Sequence, residues 1–92
     1  MKPRSILCVC HGNICRSPLA EGVLKKLAAE RGLTLVIESR GTGASGGGGA
    51  DPRTINVGAK YGVPLGKHRV RRVTAEDLQR FELVLAMDRT NL

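Results

Sequence analysis

The sequence predicts an α/β fold, a doubly wound, three-layer arrangement in which helices cover both faces of a small parallel sheet. A chain of 92 residues is long enough for one domain with one hydrophobic core. Its 41% hydrophobic and 25% charged residues are typical of a globular protein. Short apolar, β-prone runs alternate with segments of helical periodicity, as expected when strands lie parallel. We therefore expect a single domain over residues 1–92.

The first third of the chain predicts a strand, a loop and a helix. Ser5–Cys10 is a short apolar run typical of a buried parallel strand. Ser17 and Pro18 are expected to be the N-cap and the first residue of a helix, which Gly32 would end. The apolar residues at helical spacing between them are Leu19, Ala20, Val23, Leu24, Leu27 and Ala28.

The remaining two thirds predict two more strands and two short helices. Residues 33–39 form the second strand, parallel to the first, and a glycine-rich loop follows. The pair Asp51-Pro52 begins a helix that reaches about Tyr61. The segment Thr74-Ala75-Glu76-Asp77 resembles a capping box that opens a short helix. Residues 83–87 form a third buried strand.

The charge and hydropathy of the chain limit its partners and compartment. A formal net charge of +7 favours an anionic partner such as a phosphate ester. Basic residues are densest over residues 67–72, and a solvated basic face is the favoured interpretation of that patch. Aromatic residues make up only 2%, which disfavours a nucleic-acid partner bound by base stacking. No apolar run approaches a membrane span or a signal peptide, so we expect a cytoplasmic protein with no membrane partner.

The segment from Cys10 to Pro18 carries the chemistry. A cysteine ends a strand, five loop residues follow, and Arg16 precedes the N-terminus of a helix. Such a loop turns successive main-chain N–H groups towards one point, and the helix N-terminus adds positive potential there. The Arg16 guanidinium suits two oxygens of a phosphoryl group, and these groups together favour the thiolate of Cys10. The expected phosphate-binding residues are His11, Gly12, Asn13, Ile14, Cys15 and Arg16.

A thiolate beside a bound phosphate ester is a nucleophile placed for in-line displacement. The segment Cys-His-Gly-Asn-Ile-Cys-Arg-Ser-Pro that begins at Cys10 resembles the low-molecular-weight protein tyrosine phosphatases, and the resemblance continues in order along nearly the whole chain. Further matches lie at Glu38-Ser39, Asp51-Pro52-Arg53, the His68 segment, Thr74-Ala75-Glu76-Asp77 and residues 87–92.

The resemblance implies a role for each matching residue of the loop. Cys10 would be the nucleophile that becomes phosphorylated, and Arg16 would bind the phosphate. Ser17 would donate a hydrogen bond to the sulfur and so favour the thiolate as a leaving group. Cys15 would be the second loop cysteine, able to form a reversible disulfide with the nucleophile. Three polar residues would hold the loop in shape: Asn13, Ser39 and His68.

The resemblance is to the N-terminal portion of the family only. The family's catalytic aspartate, its last strand and its last helix have no counterpart within residues 1–92, and Asp51-Pro52 matches a different place. Residues 44–49 stand where the family usually has an aromatic residue beside the phosphotyrosine ring. The chain is therefore expected to be truncated, with uncovered apolar area that favours a homo-oligomer.

The resemblance thus implies a cysteine-dependent phosphatase for phosphotyrosine or aryl phosphate monoesters, which acts through a phosphocysteine and is impaired by the missing general acid. Its partners would be a phosphorylated protein or small aryl phosphate and inorganic phosphate or a similar oxyanion, with no metal or other cofactor. Ile14 favours the tyrosine branch, because the related arginine phosphatases have threonine at that position.

Two alternatives remain open at this stage. A non-catalytic phosphate-binding module, or half of an assembly, would explain the missing acid but not the reactive thiol. Arsenate reductases share the fold and the loop, but they relay electrons through later cysteines, and no cysteine follows Cys15. Cys8 is interpreted as a core residue rather than a metal ligand.

Overall fold

The fold is an α/β arrangement around a parallel sheet. The computed structural model describes residues 4–13, 16–43 and 48–86. The elements are β1 (Ser5–Cys10), α1 (Arg16–Glu30), β2 (Val36–Gly41), α2 (Pro52–Lys60), α3 (Ala75–Arg80) and β3 (Leu83–Ala86). They form a 3-stranded sheet of order β2-β1-β3 in which β1 pairs in parallel with both neighbours. The predicted small parallel sheet is confirmed; the predictions for Ile14, Cys15, residues 44–47 and residues 87–92 lie outside the described residues.

The central strand β1 has apolar side chains on both faces of the sheet. Ile6 and Cys8 pack with Ala28 of α1 on one face. Leu7 and Val9 pack with Phe81, the residue after α3, on the other. Successive side chains of a strand point to opposite faces, so β1 needs helices on both sides to be buried. This arrangement confirms the doubly wound layering and places the carboxyl end of β1 inside the molecule.

Helix α1 begins two residues earlier than the sequence predicted. Its first residue is Arg16, so Ser17 lies inside the first turn and is not the N-cap. The Ser17 side chain instead contacts the sulfur of Cys10 at 2.9 Å. The prediction was wrong because this buried tertiary partner outweighs the local capping preference of serine. Gly32 ends the helix region as predicted, with a φ of 67°.

The apolar stripe of α1 is narrower than its spacing predicted. Ala28 is buried, and Ala20 and Leu24 pack against the sheet. Val23 and Leu27 are 37% and 40% exposed and contribute little to the core. A small parallel sheet covers a narrow strip of the helix, so the side chains beside the row of Ala20, Leu24 and Ala28 stay largely exposed.

Strand β2 is shifted towards the C-terminus relative to its prediction. The strand was expected over residues 33–39 and is Val36–Gly41. The main-chain N–H of Leu33 donates to the carbonyl of Ala28 at 2.8 Å, so the end of α1 uses the residue that was assigned to the strand. At its other end β2 continues to Gly41, opposite Cys10.

The two predicted helix starts in the second half of the chain are confirmed. Asp51 caps α2 by accepting a hydrogen bond from the main chain of Arg53, with Pro52 as the first helical residue. Thr74 and Asp77 form a reciprocal capping box at α3. Both signals depend on residues that are neighbours in the sequence, which is why the sequence alone revealed them.

Strand β3 is less buried than predicted. Leu83 and Val84 are 37% and 39% exposed. The strand lies at one edge of the sheet and, within the described residues, pairs only with β1. An edge strand is covered on fewer sides than a central one, which accounts for its exposure. No helix within the described ranges is long and apolar enough to cross a membrane.

Candidate active site

The sulfur of Cys10 lies at the carboxyl end of the central strand, where it receives polar contacts from the loop and the helix. Cys10 is 5% exposed and its thiol is free. Its Sγ lies 2.9 Å from the hydroxyl of Ser17, in the first turn of α1. The main-chain N–H of Asn13 donates to the same sulfur at 3.2 Å. The sulfur is thus held by one contact from the first turn of α1 and one from the loop.

Asn13 is the polar centre of the loop. Its φ of 57° is left-handed, a conformation that asparagine tolerates better than most residues, and Gly12 beside it has no such angle. The side-chain amide is fully buried and donates to Ser17 Oγ at 2.9 Å and to Ser39 Oγ at 3.0 Å. One side chain thus connects the first turn of α1 to β2.

The two carbonyl groups of Asn13 bind the segment that precedes α3. Its side-chain Oδ1 accepts a hydrogen bond from the main-chain N–H of Arg71 at 2.9 Å. Its main-chain oxygen lies 2.8 Å from Nε2 of His68, which donates when that nitrogen carries the proton. Every polar group of this buried residue therefore has a partner, and the loop conformation is fixed from several sides.

The direction of the hydrogen bonds follows from the donors available. Ser39 Oγ lies 2.6 Å from the carboxylate of Glu21, which can only accept, so the Ser39 hydroxyl donates to Glu21. Ser17 Oγ accepts from the Asn13 amide, and its own hydrogen is left for the Cys10 sulfur. Asn13 therefore donates to Ser17, and Ser17 in turn donates to Cys10.

Sequence reasoning missed two members of this network. Glu21 has no predicted role, yet it accepts from Ser39 and pairs with Lys25 at 2.6 Å. Its position four residues after Ser17, on the same side of a helix, was a usable signal. Arg71 contributes a main-chain N–H. Every residue except proline has a main-chain N–H, so the identity of residue 71 does not predict this contact.

Cys8 differs sharply from Cys10, two residues away on the same strand. It is fully buried against α1, as predicted for a core cysteine. Burial, with smaller contributions from the charges of Glu21 and Cys10, raises the pKa of Cys8 to about 11. Cys8 therefore remains a neutral thiol near pH 7.

The start of the glycine-rich segment lies against the loop. The N–H of Gly43 donates to the carbonyl of His11 at 2.8 Å, and that of Thr42 donates to the carbonyl of Cys10 at 2.9 Å. A Cβ added to Gly43 would overlap Cε1 of the His11 ring. Only glycine fits so close an approach without movement of the ring.

The structure brings together most of the residues that the sequence singled out. Cys10, Asn13, Ser17, Ser39 and His68 lie in one hydrogen-bonded network. Arg16 is the first residue of α1, and its side chain is exposed beside the loop. No carboxylate within residues 4–13, 16–43 and 48–86 hydrogen-bonds Cys10 or Ser17, and no group of three or more potential metal ligands occurs there.

The fold and this network define an α/β protein with a cysteine-centred loop between its first strand and first helix. The chain belongs to the low molecular weight phosphotyrosine protein phosphatase family, whose profile matches residues 5–92. A relative of that name from Schizosaccharomyces pombe is 43% identical over 91 residues, which are 95% of this chain and 58% of the relative.

Solved structures of similar proteins share the fold. The crystal structure of the tyrosine phosphatase amsI from Erwinia amylovora matches with a TM-score of 0.89 and 37% identity, over 98% of this chain and 57% of that one. The arginine phosphatase YwlE of Bacillus subtilis matches with a TM-score of 0.89 and 35% identity, over 94% of this chain and 56% of that one. The chain thus spans less than two thirds of the length of these relatives.

Proposed function

We propose that the chain is a cysteine-dependent phosphomonoesterase that hydrolyses phosphotyrosine or aryl phosphate monoesters through a phosphocysteine at Cys10. The observation that carries the proposal is the 2.9 Å contact between the Ser17 hydroxyl and the Cys10 sulfur. The Asn13 amide occupies an acceptor site of that hydroxyl and so directs its hydrogen at the sulfur. A hydroxyl held in this way can stabilise negative charge on the sulfur during a reaction by donating a hydrogen bond to it.

The first step of the proposed reaction is phosphoryl transfer to sulfur. The Cys10 thiolate attacks phosphorus while the bond between phosphorus and the aryl oxygen breaks, and the electron pair leaves on that oxygen. The Arg16 guanidinium and the loop N–H groups hold the other phosphoryl oxygens. In the proposed step the leaving aryl oxide takes its proton from water.

The second step returns the sulfur to its thiolate form. Water attacks the phosphorus of the phosphocysteine, the sulfur–phosphorus bond breaks, and inorganic phosphate is released with the protons of the attacking water. The Ser17 hydroxyl donates to the departing thiolate and lowers the free energy of that step. The Asn13, Ser39 and His68 contacts keep the loop in the shape that binds the phosphoryl oxygens throughout.

The relatives support this choice of substrate and intermediate. The relative from Schizosaccharomyces pombe and the one from Erwinia amylovora are named for phosphotyrosine and tyrosine. A structure of YwlE holds a Cys-to-Ser variant with a phosphorylated active-site serine, which parallels the proposed phosphocysteine. YwlE itself is an arginine phosphatase, so phosphoarginine is the second candidate substrate; Ile14, in place of threonine, favours the aryl ester.

Hydrolysis of p-nitrophenyl phosphate by the chain, beside its Cys10→Ser variant, tests the proposal. We expect release of nitrophenolate that depends on Cys10, and a phosphorylated Cys10 peptide after rapid acid quench. Binding of inorganic phosphate without any release would instead favour a non-catalytic phosphate-binding module. Turnover that consumes a thiol reductant in proportion to product would favour a reductase.

A series of aryl phosphates with graded leaving groups tests the proposed impairment. General acid catalysis contributes about 10²–10⁴ in rate, and a poor leaving group needs it most. Without it, the rate of the first step should fall steeply as the pKa of the leaving phenol rises. A flat dependence would contradict the impairment and would require an acid supplied within the chain.

A further inference from the structure

A cleft of about 550 Å³, which we call the basic cleft, lies between α1, β2 and the segment that follows α2. Glu21 and Lys25 line it from α1, and residues 35–40 line it from β2 and the residue before that strand. Its third wall is formed by residues 67–69 and Arg71, which belong to the densest basic stretch of the chain. The proposed reaction uses no lysine or arginine side chain of this wall.

Strand β2 closes the basic cleft on one side but offers few of its own hydrogen-bonding groups. Ile37 and Ser39 are only 3% and 2% exposed, so their main-chain groups are covered. The carbonyl of Ser39 also accepts a hydrogen bond from the guanidinium of Arg40 at 2.8 Å. A ligand in the basic cleft therefore binds through side chains, and a peptide cannot add to β2 as a further strand.

The wall opposite β2 presents three basic side chains to the cleft. Lys67, Arg69 and Arg71 are exposed, and all three line it. None of them forms an ion pair within residues 4–13, 16–43 and 48–86, although the charge of Arg71 acts on Glu38. Three cations that share one wall repel one another, so an anion placed between them is favoured.

The two carboxylates that line the basic cleft are engaged by other groups. Glu21 pairs with Lys25 at 2.6 Å. Glu38 pairs with Arg40 and Arg80. Neither carboxylate is left to neutralise the wall opposite β2, and the cleft therefore has an excess of positive charge.

The main chain of this basic wall is fixed by the residues that lie between the basic side chains. Nε2 of His68 lies 2.8 Å from the main-chain oxygen of Asn13. Val70 is 6% exposed, and its N–H donates to the carbonyl of Gly48 at 2.7 Å. The basic side chains thus extend from a main chain that is already held in place, which reduces the conformational entropy lost when they bind a ligand.

We propose that the basic cleft binds an oligophosphate group, a chain of two or more linked phosphoryl groups, through Lys67, Arg69 and Arg71. Each guanidinium can hold two phosphoryl oxygens in a planar fork, and the lysine adds a compact point charge. Linked phosphoryl groups carry several negative charges close together, so one ligand can contact all three cations. A nucleic acid is disfavoured, because the two aromatic residues of the chain, Tyr61 and Phe81, do not line the cleft. The proposal does not rest on the proposed phosphatase activity.

Isothermal titration calorimetry with sodium tripolyphosphate tests this proposal. The pair Lys67→Glu and Arg69→Glu should weaken binding by about tenfold or more, because two charge-assisted contacts become repulsive. The matched pair Arg31→Glu and Lys60→Glu lies at exposed positions outside the cleft and changes the net charge equally. This control pair should weaken binding by less than about threefold.

The Cys10 loop is a second place where an anion could bind, and Arg16→Ala separates it from the basic cleft. The Arg16→Ala chain should retain its affinity for tripolyphosphate within about threefold, and it should bind inorganic phosphate at least about tenfold more weakly. In the natural chain, the side-chain Nε–H signals of Arg69 and Arg71 should shift and saturate during the titration. That readout requires no substitution.

Tripolyphosphate and ATP share the oligophosphate group, and a comparison of the two distinguishes its source. Tighter binding of ATP would assign a nucleotide to the cleft. Equal or weaker binding of ATP would assign an inorganic oligophosphate. Either result supports the proposed site.

Three results would overturn the proposal. Equal weakening by the two charge-reversed pairs would show general charge attraction. Loss of binding in Arg16→Ala alone would place the ligand at the Cys10 loop. Absence of binding up to about 1 mM tripolyphosphate would show that the wall is only a solvated basic surface. Far-UV circular dichroism checks that each variant is folded, as expected because all of the substituted side chains are exposed.

Discussion

The side-chain oxygen of Asn13 accepts a hydrogen bond of 2.9 Å from the main-chain N–H of Arg71, 58 positions further along the chain. This contact ties the cysteine loop to the segment that precedes α3, and its acceptor, Asn13, is fully buried. The loop conformation is therefore a property of the tertiary fold and not of the loop sequence alone.

Asn13→Ala should destabilise the fold by about 3 kcal/mol, because it leaves buried partners without hydrogen bonds and places alanine at a positive φ. Urea denaturation monitored by far-UV circular dichroism measures the loss. Asn56→Ala, at an exposed position of α2, is the matched control and should change stability by less than about 0.5 kcal/mol. Equal effects of the two substitutions would show that the Asn13 network contributes nothing specific.

Ser17→Ala should slow breakdown of the phosphocysteine by roughly 10- to 100-fold, while the first step slows less. In the proposed mechanism the hydroxyl that lies 2.9 Å from the sulfur donates to the departing thiolate, so its loss should fall on the second step. Stopped-flow measurement of p-nitrophenyl phosphate hydrolysis should then show a burst followed by a slower steady state. Thr34→Ala removes an exposed hydroxyl as a control. A uniform decrease of both steps would contradict the assigned role.

Cys8→Ala should make stability less sensitive to alkaline pH. Burial raises the pKa of Cys8 from 9.0 to about 11, so the fold favours the neutral thiol. The stability linked to that preference is fully present below pH 9 and is lost as pH rises towards 11. The temperature of thermal unfolding should fall more steeply across this window for the natural chain than for the variant, because only the natural chain carries the buried Cys8 thiol. Parallel curves would contradict the prediction.

Asp77→Asn should cost about 1–3 kcal/mol near pH 7 and should flatten the acid side of the stability profile. Burial acts to raise the pKa of Asp77, but hydrogen bonds from Thr74 and the charge of Arg40 outweigh it and hold the pKa below its ordinary 3.8. Because the fold lowers this pKa, the stabilisation by the ionised carboxylate is present above the ordinary pKa of 3.8. It is lost as pH falls through the lowered pKa of the folded state.

The control for Asp77 is Glu76→Gln, an exposed carboxylate in the same turn of α3. Denaturation from pH 7 down to the acid transition should separate the two variants. The interpretation fails if both profiles keep the acid slope of the natural chain.

Gly58→Ala should destabilise α2 although alanine favours helices. A Cβ at Gly58 would lie 2.5 Å from the main-chain oxygen of Val63, which cannot rotate away. Overpacking of this kind costs about 1–3 kcal/mol, against a gain of about 1 kcal/mol from helix propensity. Gly66→Ala, with nothing within 4 Å of its added Cβ, should be near neutral in the same thermal unfolding experiment. Stabilisation by Gly58→Ala would contradict the contact.

The parts of the fold that the sequence predicted well depend on local chemistry. The bounds of β1 follow from a short apolar run between polar flanks. Asp51 before Pro52, and Thr74 with Asp77, are capping signals between near neighbours. Such signals act within one turn of the chain, so a single sequence contains all of the information that they need.

The parts that the sequence mispredicted depend on distant partners. Ser17 has the identity of an N-cap, but its hydroxyl bonds the sulfur of Cys10 and the helix begins before it. Glu21 and Arg71 enter the network through partners 18 and 58 positions away. Propensity describes the local conformation that a residue prefers. At these positions the buried tertiary hydrogen bonds determine the conformation instead.

The separation between Asn13 and its partners also has a kinetic consequence. Its bonds to Ser39, His68 and Arg71 span 26, 55 and 58 positions, so they close long loops whose entropic cost is met only when most of the sheet has assembled. Helical structure in α1 requires only contacts within one segment and forms earlier. A refolding chain would thus recover its helical signal before the Asn13 hydrogen bonds form, and the cysteine loop would be among the last parts of the molecule to reach its final shape.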